Sequence, residues 1–288
     1  MPEAPVSAER RPAAGHHSSV VFADDQEWAG HLCAFVRDGL DQGEEIAYFA
    51  DSTEPERVLR TLTEAGIDAT AAVKRGQLSV STATRTYLAG TGFDPDAMIG
   101  LWYEAVQSAT ARGYGGLRAI GEMSWGARDI AGADRLLEYE LRIHQEVFER
   151  LPLTAWCFYD RRLLPDDCVD VLAGAHPVSR GGPVGRPALR VTPLTDRPGL
   201  RISGSAGYDT RDVVAAAAAA VRGMPAPRVE LDLAELRHLD AASLAALAAA
   251  AAGRPAGGPL GVRHAPPSLR RLLDLFPEFG SVVEVLDR

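Results

Sequence analysis

Residues 18–49, SSVVFADDQEWAGHLCAFVRDGLDQGEEIAYF, constrain the fold of this chain more than any other segment. An apolar run of strand length leads through a polar loop into a segment with apolar residues at helical spacing, and a second apolar run follows a turn. In this order of strand, loop, helix and strand, a glycine-rich loop normally hands a nucleotide phosphate to a helix N-terminus. The loop here reads ADDQEWAG, with carboxylates in place of the glycines and the lysine, so it lacks the chemistry of a phosphate grip.

The alternation of apolar runs and amphipathic segments continues through most of the first 176 residues. Strands are predicted at SVVFA, EIAYFA, LSVSTA, GLRAIGE and TAWCFYD, with helical spacing of apolar residues between them. Such alternation predicts an α/β fold, a mostly parallel sheet covered by helices on both faces. Folds of this kind bind ligands outside the carboxyl ends of their strands.

A second unit follows a stretch that is dense in proline and glycine. We place a linker at 177–186, with a domain at 16–176 before it and a smaller α/β domain at 187–288 after it. The smaller domain is predicted from the strands ALRVTP, LRISGSA, RVELDLAEL, LGVRHA and SVVEVLD and the helices RDVVAAAAAAVRG, ASLAALAAAAAG and SLRRLLDLFPEFG. Residues 1–15 lack the apolar core of a signal peptide and are predicted to form a disordered tail.

Composition and charge exclude several classes of function. No apolar run reaches the ~18 residues of a membrane span, so no membrane association is expected. Of the 30 basic and 39 acidic residues, 187–288 holds 12 and 11, which leaves 18 and 28 for the rest of the chain. Neither part offers a basic surface for nucleic acid, so no direct contact with nucleic acid is expected. A soluble cytoplasmic protein is the simplest interpretation.

Side chains at the predicted carboxyl ends of the strands are the candidates for a ligand site. They are Asp24, Asp25, Glu122, Trp125, Tyr159 and Asp160, together with His31 on the first helix. The carboxylates of the first loop would repel a triphosphate unless a metal intervened. The alternative is a solvated acidic loop in which Asp25 caps the first helix.

Two carboxylates, Glu122 and Glu140, are predicted to point into the interior. Glu122 ends a buried strand, and Arg118, four residues back on the same face, is its candidate partner. Glu140 lies on the apolar stripe of a helix, where a carboxylate must find a partner or take up a proton. A small-ligand pocket, a structural ion pair and a catalytic acid–base pair are the alternatives, although no nucleophile or histidine stands beside these carboxylates in sequence.

Metal and cofactor chemistry is not predicted. His31, His144 and His176 are scattered through the chain, and His144 is interpreted as a core residue. The three cysteines show neither a disulfide framework nor the spacing of a metal site. Cys33 is interpreted as a small buried apolar residue.

The motifs HLCAF, DGLDQGEEIAYF, RAIGEMSW, LLEYE, CFYD and HP occur in this order between about residues 16 and 177. Together they resemble the MEDS family, the sensory domain of methanogen and methylotroph regulators. That family in turn resembles a RecA-type or circadian-clock ATPase domain that has lost its phosphate loop, and ADDQEWAGHLC occupies the place of that loop. The resemblance implies a RecA-like fold without a P-loop and a sensory role linked to small organic molecules, redox state or partner proteins.

The stretch VELDLAELRHLDAASLAALAAAA makes the second domain resemble STAS, the fold of anti-sigma factor antagonists. In that family a strand ends in Asp-Ser-Ser-Gly-Leu, and a partner kinase phosphorylates the second serine. The corresponding residues are Asp240, Ala241, Ala242, Ser243 and Leu244. The methyl group of Ala242 cannot accept phosphate, and we expect Ser243 to be a small helix-start residue and not a displaced phosphoacceptor. Without a partner, the same segment simply begins an amphipathic helix capped by Asp240.

The two resemblances imply a non-enzymatic signalling protein. Its first domain senses a cue, and its STAS domain contacts an anti-sigma factor or kinase-like regulator through residues 240–244. One alternative is a small-ligand sensor whose STAS domain serves for assembly into a homo-oligomer. The other is a degenerate nucleotide enzyme that uses Glu122 or Glu140.

Overall fold

The computed structural model describes residues 15–286, which form two sheets with helices packed on them. Residues 1–14 of the predicted tail lie outside the described residues. Between residues 15 and 286, none of the helices combines the length and the apolar composition needed to cross a membrane.

The first sheet has six strands, and all of its pairs are parallel. Its strand order is β3-β2-β4-β5-β1-β6. The strands are β1 (His16–Phe22), β2 (Glu45–Ala50), β3 (Leu78–Thr82), β4 (Leu117–Glu122), β5 (Leu153–Asp160) and β6 (Val178–Gly181). The predicted parallel α/β fold and its five strands are confirmed.

One strand of this sheet was not predicted, and it falls in the range 177–186 that was assigned to the linker. β6 lies inside that range and pairs with β1 in parallel register from Ser18 to Val21. All four of its residues are exposed, because it is a short edge strand. It therefore carries no apolar pattern from which a strand could be predicted.

Helices cover both faces of the first sheet. They are α1 (Asp25–Asp41), α2 (Pro55–Glu64), α3 (Ala69–Lys74), α4 (Pro95–Ala111), α5 (Leu136–Ile143) and α6 (Asp166–Gly174). One apolar cluster packs α1 and α2 on the sheet, and a second packs α4, α5 and α6 on it. A π-helical turn, His144–Phe148, extends α5. Such turns are rare and are frequently found at functional sites.

The second domain is a smaller mixed α/β sheet, as predicted, with β7 antiparallel to β8 and the remaining pairs parallel. Its strands are β7 (Leu189–Pro193), β8 (Gly199–Ala206), β9 (Val229–Asp232), β10 (Leu236–Leu239), β11 (Leu260–Arg263) and β12 (Val283–Val285). Its helices are α7 (Arg211–Gly223), α8 (Ala241–Ala252) and α9 (Pro267–Leu275). The run RVELDLAEL was predicted as one strand but splits at Asp232, whose side chain accepts the Ala234 N–H (3.2 Å) in a turn.

The two domains share one continuous apolar core. The larger buried cluster includes Leu141 and Val147 of the first domain together with Val191 and Val221 of the second. Polar contacts also join them, and in one of these the side-chain amide of Gln145 donates to the carbonyls of Arg197 (3.1 Å) and Gly199 (3.2 Å). The helix that carries Glu140 is thus packed directly on the second domain.

Candidate functional site

The predicted carboxyl-end residues of β1, β4 and β5 share one edge of the sheet, since these strands and β2 are neighbours. A cleft of about 360 Å³ opens there. Its lining consists of Phe22, Asp25, Trp28, Ser52, Thr53, Arg57, Asp160, Arg162 and Leu163. Of the sequence candidates, the edge brings together Asp25 and Asp160, whereas His31 lies further along α1 with its ring edge against Trp156 (6.3 Å between ring centroids).

The loop before α1 stands where a phosphate-binding loop would be expected. Its own carboxylates cap the helix. Asp24 accepts the Glu27 N–H (2.8 Å), and Glu27 accepts the Ala23 N–H (2.8 Å). This reciprocal arrangement satisfies two N–H donors at the helix start that would otherwise be open to an anion. Asp24 is therefore the N-cap, and the prediction that Asp25 caps the helix was wrong. Asp25 is the first helical residue, which leaves its carboxylate free to point into the cleft.

Two arginines, which the sequence reading missed, neutralise the cleft. Asp25 pairs with Arg57 (2.7 Å) and Arg162 (2.8 Å), and Asp160 also pairs with Arg162 (2.7 Å). The bonds from Arg162 and Arg57 hold the pKa of Asp25 below its ordinary value. Two carboxylates matched by two guanidiniums leave no surplus positive charge for a phosphate chain. The signal for these arginines was their place in the sequence: Arg162 stands two residues after β5, and Arg57 lies in the first turn of α2, which follows β2.

Glu122 is held inside the protein and not by Arg118. Tyr48 donates its hydroxyl hydrogen to Oε1 (2.5 Å), and Oε2 accepts the backbone N–H groups of Asp51 (2.8 Å), Ser52 (2.7 Å) and Thr53 (3.0 Å). Successive N–H groups of this kind form an anion-binding nest, and here the protein's own carboxylate fills it. Both oxygens of Glu122 are thereby engaged in structural bonds.

The predicted ion pair of Arg118 with Glu122 was wrong because of strand geometry. Four residues along a strand span ~13 Å, too far for the two side chains to meet even on one face. Arg118 bonds instead to Glu44, at the opposite end of β4.

Trp125 is fully buried and lines a small aromatic cavity of about 30 Å³. Its indole N–H donates to the hydroxyl of Tyr87 (3.1 Å), and the indole of Trp102 donates to Tyr139 (2.7 Å). With these polar atoms satisfied, the remaining surface of the cavity is mostly apolar. A cavity of this volume holds one or two waters or a ligand of a few atoms.

Glu140 lies in a second, buried group that we call the His–Glu–Cys cluster: His17, Glu140, Cys157 and His176. Within the described part of the chain, the ligand-type atoms of these four residues all lie within 4.8 Å of one another. Glu140 Oε2 stands 3.2 Å from His17 Nε2, 3.4 Å from His176 Nε2 and 3.8 Å from Cys157 Sγ. Tyr159 donates its hydroxyl hydrogen to the other oxygen, Oε1 (3.0 Å).

Burial and mutual charge set the protonation of this cluster. Burial, followed by the charge of His176, lowers the pKa of His17 to about 4. Burial alone would raise the pKa of Glu140, but His176 and His17 outweigh it and bring that pKa well below its ordinary value. Burial raises the pKa of the Cys157 thiol, and the Glu140 charge raises it further.

The sequence reading found Glu140 and Tyr159 but missed their partners. Of the three scattered histidines, only His176 joins the His–Glu–Cys cluster, while His144 lies on the π-helical turn and His31 on α1. His17 was left out because the predicted strand began at Ser19, whereas β1 begins at His16. Part of the cluster could have been predicted from the alternation of side chains along a strand, because Cys157 and Tyr159 are two residues apart on β5 and so lie on the same face.

The start of α8 presents the segment predicted to bind a partner. Asp240 is its N-cap and accepts the Ser243 N–H (2.7 Å). Ala241 and Ala242 are exposed, whereas Ser243 is only 5% exposed and Leu244 is buried. The backbone bond from Asp240 to Ala206 (3.1 Å) sets this start beside the loop that follows β8.

Comparison with known proteins decides the family. The sequence model of the MEDS domain, described as the methanogen/methylotroph, DcmR sensory domain, matches residues 16–177, more than half of the chain. The chain belongs to the MEDS family. A model described as Mlab, STAS domain, matches residues 191–277, so a STAS domain follows the MEDS domain.

One curated relative is the transcriptional repressor DcmR of Methylorubrum extorquens. It is 28% identical over 130 residues, which cover 44% of this chain and 45% of the relative. The chain thus spans about half the length of that relative. Among solved structures, a KaiC-like protein from Pyrococcus horikoshii aligns with 66% of this chain and 76% of its own, at 10% identity and a TM-score of 0.38. The fold described above rests on the strand order and not on that loose likeness.

Proposed function

We propose that this MEDS–STAS chain is a non-enzymatic regulator whose STAS domain binds an anti-sigma factor or a kinase-like regulator under control of the MEDS domain. A sensory domain joined to a STAS domain makes it a regulatory signalling protein. The identity of the partner class is the proposal.

The observation that carries the proposal is the surface at the start of α8. Ala241 and Ala242 are exposed and offer a low surface that a partner helix or strand can approach closely. Two residues after Ala206, whose carbonyl accepts the Asp240 N–H, stands Tyr208, the most exposed large hydrophobic side chain in the described residues at 76%, with Arg211 over its ring (4.5 Å). Tyrosine and arginine are the residues that most often anchor protein interfaces.

Control by phosphorylation at this surface is not supported. Ala242 has no hydroxyl, and the Ser243 side chain lies in the interior, where a kinase cannot reach it without opening the helix start. The STAS surface is therefore held permanently in an unphosphorylated form. Regulation then comes from the MEDS domain, which packs on the second domain through α5, or from the availability of the partner.

The test is an affinity capture from the native host with the full-length chain as bait. Ala242→Asp places a carboxylate in the middle of the proposed surface, so we expect it to abolish capture of an anti-sigma or kinase-like protein identified by mass spectrometry. Ala249→Asp is the matched control, because Ala249 is also an exposed alanine of α8. Capture that survives Ala242→Asp, or that both variants lose equally, contradicts the proposal.

The same variants distinguish partner binding from the alternative, in which the STAS domain serves for assembly. If the exposed segment joins copies of this chain, Ala242→Asp will shift the native mass measured by analytical ultracentrifugation and Ala249→Asp will not. If it binds a different protein, the mass of the purified chain will be the same for both variants. A shift of mass without any captured partner replaces the partner proposal with assembly.

A further inference from the structure

Several of the distances between the four donor atoms of the His–Glu–Cys cluster match those between ligands of one metal ion, and all four atoms lie within 4.8 Å of one another. A tetrahedral Zn²⁺ with bonds of about 2.0 to 2.3 Å keeps its ligand atoms roughly 3.3 to 3.8 Å apart. The observed separations include 3.2 Å for His17–Glu140, 3.4 Å for His17–Cys157 and 3.8 Å for Cys157–Glu140. We propose that His17, Glu140, Cys157 and His176 bind a divalent transition-metal ion, for which Zn²⁺ is the best fit.

Hydrogen bonds orient two of the four donors, His176 and Glu140, toward the rest of the cluster. His176 Nδ1 lies 3.0 Å from the carbonyl of Leu172, and a proton donated there leaves Nε2 as the bare nitrogen that faces Glu140. Tyr159 occupies Oε1 of Glu140, so Oε2 is the oxygen turned inward. Metal-binding histidines and carboxylates are oriented in this way by a second layer of hydrogen bonds.

An unsatisfied atom supports this interpretation over a plain hydrogen-bond network. His176 Nε2 is buried and makes no hydrogen bond of good geometry, although Glu140 Oε2 lies 3.4 Å away. A buried polar atom that lacks a good hydrogen bond is costly and calls for an explanation, such as a bound ion. A metal at the centre of the cluster would satisfy this nitrogen.

The donor set and its charge favour a borderline metal. Two imidazoles, one thiolate and one carboxylate are ligands that Zn²⁺ accepts, whereas Mg²⁺ and Ca²⁺ require oxygen. The thiolate and the carboxylate balance the two positive charges of the ion. Binding breaks the S–H bond of Cys157 and forms a metal–sulfur bond, and the thiol proton leaves to solvent.

Four separate elements hold the ligands, which makes the site rigid. His17 lies on β1, Glu140 on α5, Cys157 on β5 and His176 just beyond α6. The ring of His17 is stacked on Phe148 with 4.5 Å between centroids and 11° between planes. All four ligands are buried, so the site is closed and suits a structural or sensing ion.

The ion would be coupled to the second domain through the elements that hold it. α5 carries Glu140 inward, and the π-helical turn that continues it carries Gln145, which bonds to the backbone of the STAS domain. The proposal does not depend on the partner of the STAS domain, because its readouts are metal content and spectra.

The test uses the full-length chain, purified through a tag without histidine and stripped of metal by a chelator. The variant Cys33→Ser/Cys168→Ser leaves Cys157 as the last of the three cysteines and keeps the cluster intact. We expect it to bind about one Co²⁺ per chain, with tetrahedral d–d bands and a thiolate-to-cobalt charge-transfer band, and Zn²⁺ to bleach both. If this variant binds no Co²⁺ stoichiometrically, or binds it without the charge-transfer band, the proposal fails.

Single variants of the ligands complete the test. Cys157→Ser is expected to lose the charge-transfer band, and His176→Gln to weaken Zn²⁺ affinity at least ~100-fold in competition with a chelator. His144→Gln, a nearby histidine outside the cluster, is the control and should bind as the parent does. An undiminished band in Cys157→Ser, or equal affinity for His176→Gln and the parent, overturns the assignment.

Discussion

The hydroxyl of Thr192, on the first strand of the STAS domain, donates a 2.7 Å hydrogen bond to the carbonyl of Gly174, the last residue of α6 in the MEDS domain. The guanidinium of Arg190 reaches the same carbonyl (3.3 Å). Two residues beyond Gly174 lies His176 of the His–Glu–Cys cluster. The end of α6 therefore joins the buried cluster of the sensor to the edge of the second domain.

Removal of the Thr192 hydroxyl should weaken this junction. Thr192→Val keeps the branched shape and leaves Gly174 with the single bond from Arg190, so we expect a loss of ~1 kcal/mol in the free energy of unfolding by urea. Thr63→Val is the control. Thr63 is exposed, and its hydroxyl bonds within its own helix, to the Leu59 carbonyl (2.9 Å). Equal losses of unfolding free energy in the two variants would show that the bond between the domains contributes no more to stability than a bond within one helix.

The contact of Gly223 with Arg142 gives a stronger test of the interface. A Cβ at Gly223, the last residue of α7, would stand 2.6 Å from Arg142 Nε. Arg142 has little freedom to move away, since it is bonded to Glu146 (2.8 Å), Glu138 (3.1 Å) and Asp96 (2.7 Å). Gly223→Ala should cost about 1 to 3 kcal/mol in urea unfolding.

The matched control for Gly223→Ala is a glycine with open space. Gly100 lies inside α4, and a Cβ there meets nothing within 4 Å. Gly100→Ala should stabilise the protein by ~0.5 to 1 kcal/mol, because alanine is the better helix former. A Gly223→Ala variant as stable as the parent would mean that the two domains do not pack as described.

The pattern of apolar residues predicted the fold, because most helices and strands are specified by the residues within them. The helix RDVVAAAAAAVRG begins and ends as predicted, and the first five strands lie where their apolar runs are. β6 escaped because an exposed edge strand of four residues carries no alternation. The N-cap was misassigned by one residue, since capping depends on backbone angles that the adjacent aspartates Asp24 and Asp25 do not reveal.

The site was harder to predict because its members meet only through the sheet order. Glu140 could be placed on an apolar stripe, but its partners His17 and His176 come from opposite ends of the domain. Glu122 was correctly expected to be buried, yet its partners are backbone N–H groups of the loop after β2, which no side-chain pattern indicates. Contacts between distant segments depend on the order of the strands in the sheet. The local periodicity of a sequence does not indicate that order.

The cap of α1 can be tested by a single substitution. Asp24→Ala removes the carboxylate that accepts the Glu27 N–H, so we expect a loss of ~1 kcal/mol in urea unfolding. Asp41→Ala, at the other end of the same helix, removes a negative charge from the negative end of the helix dipole and should be neutral or slightly stabilising. Opposite signs in the two variants support the cap, and a neutral Asp24→Ala contradicts it.

Glu122 should be more costly to change than an exposed glutamate. Glu122→Gln keeps the shape but removes the charge that receives the three N–H groups of residues 51–53, so we expect a loss of ~2 kcal/mol and faster proteolysis of that loop. Glu104→Gln on the exposed face of α4 is the control and should stay within ~0.5 kcal/mol of the parent. A neutral Glu122→Gln would mean that the carboxylate is not the group that orders the loop.

A nucleotide should not stabilise the protein. In the first turn of α1 the Glu27 N–H is already bonded to Asp24, the Ala23 N–H just before the helix is bonded to Glu27, and the arginines of the cleft are neutralised by Asp25 and Asp160. A ligand that binds the native state raises the free energy of unfolding by RT ln(1 + [L]/Kd), so a Kd weaker than ~1 mM leaves the Tm nearly unchanged at ~1 mM ATP with Mg²⁺. A clear rise in Tm, together with ATP turnover that disappears in Glu122→Gln, would instead restore the degenerate nucleotide enzyme as the function of this domain. Without either signal, the edge cleft keeps the layout of a nucleotide site but has lost its phosphate chemistry to the protein's own carboxylates.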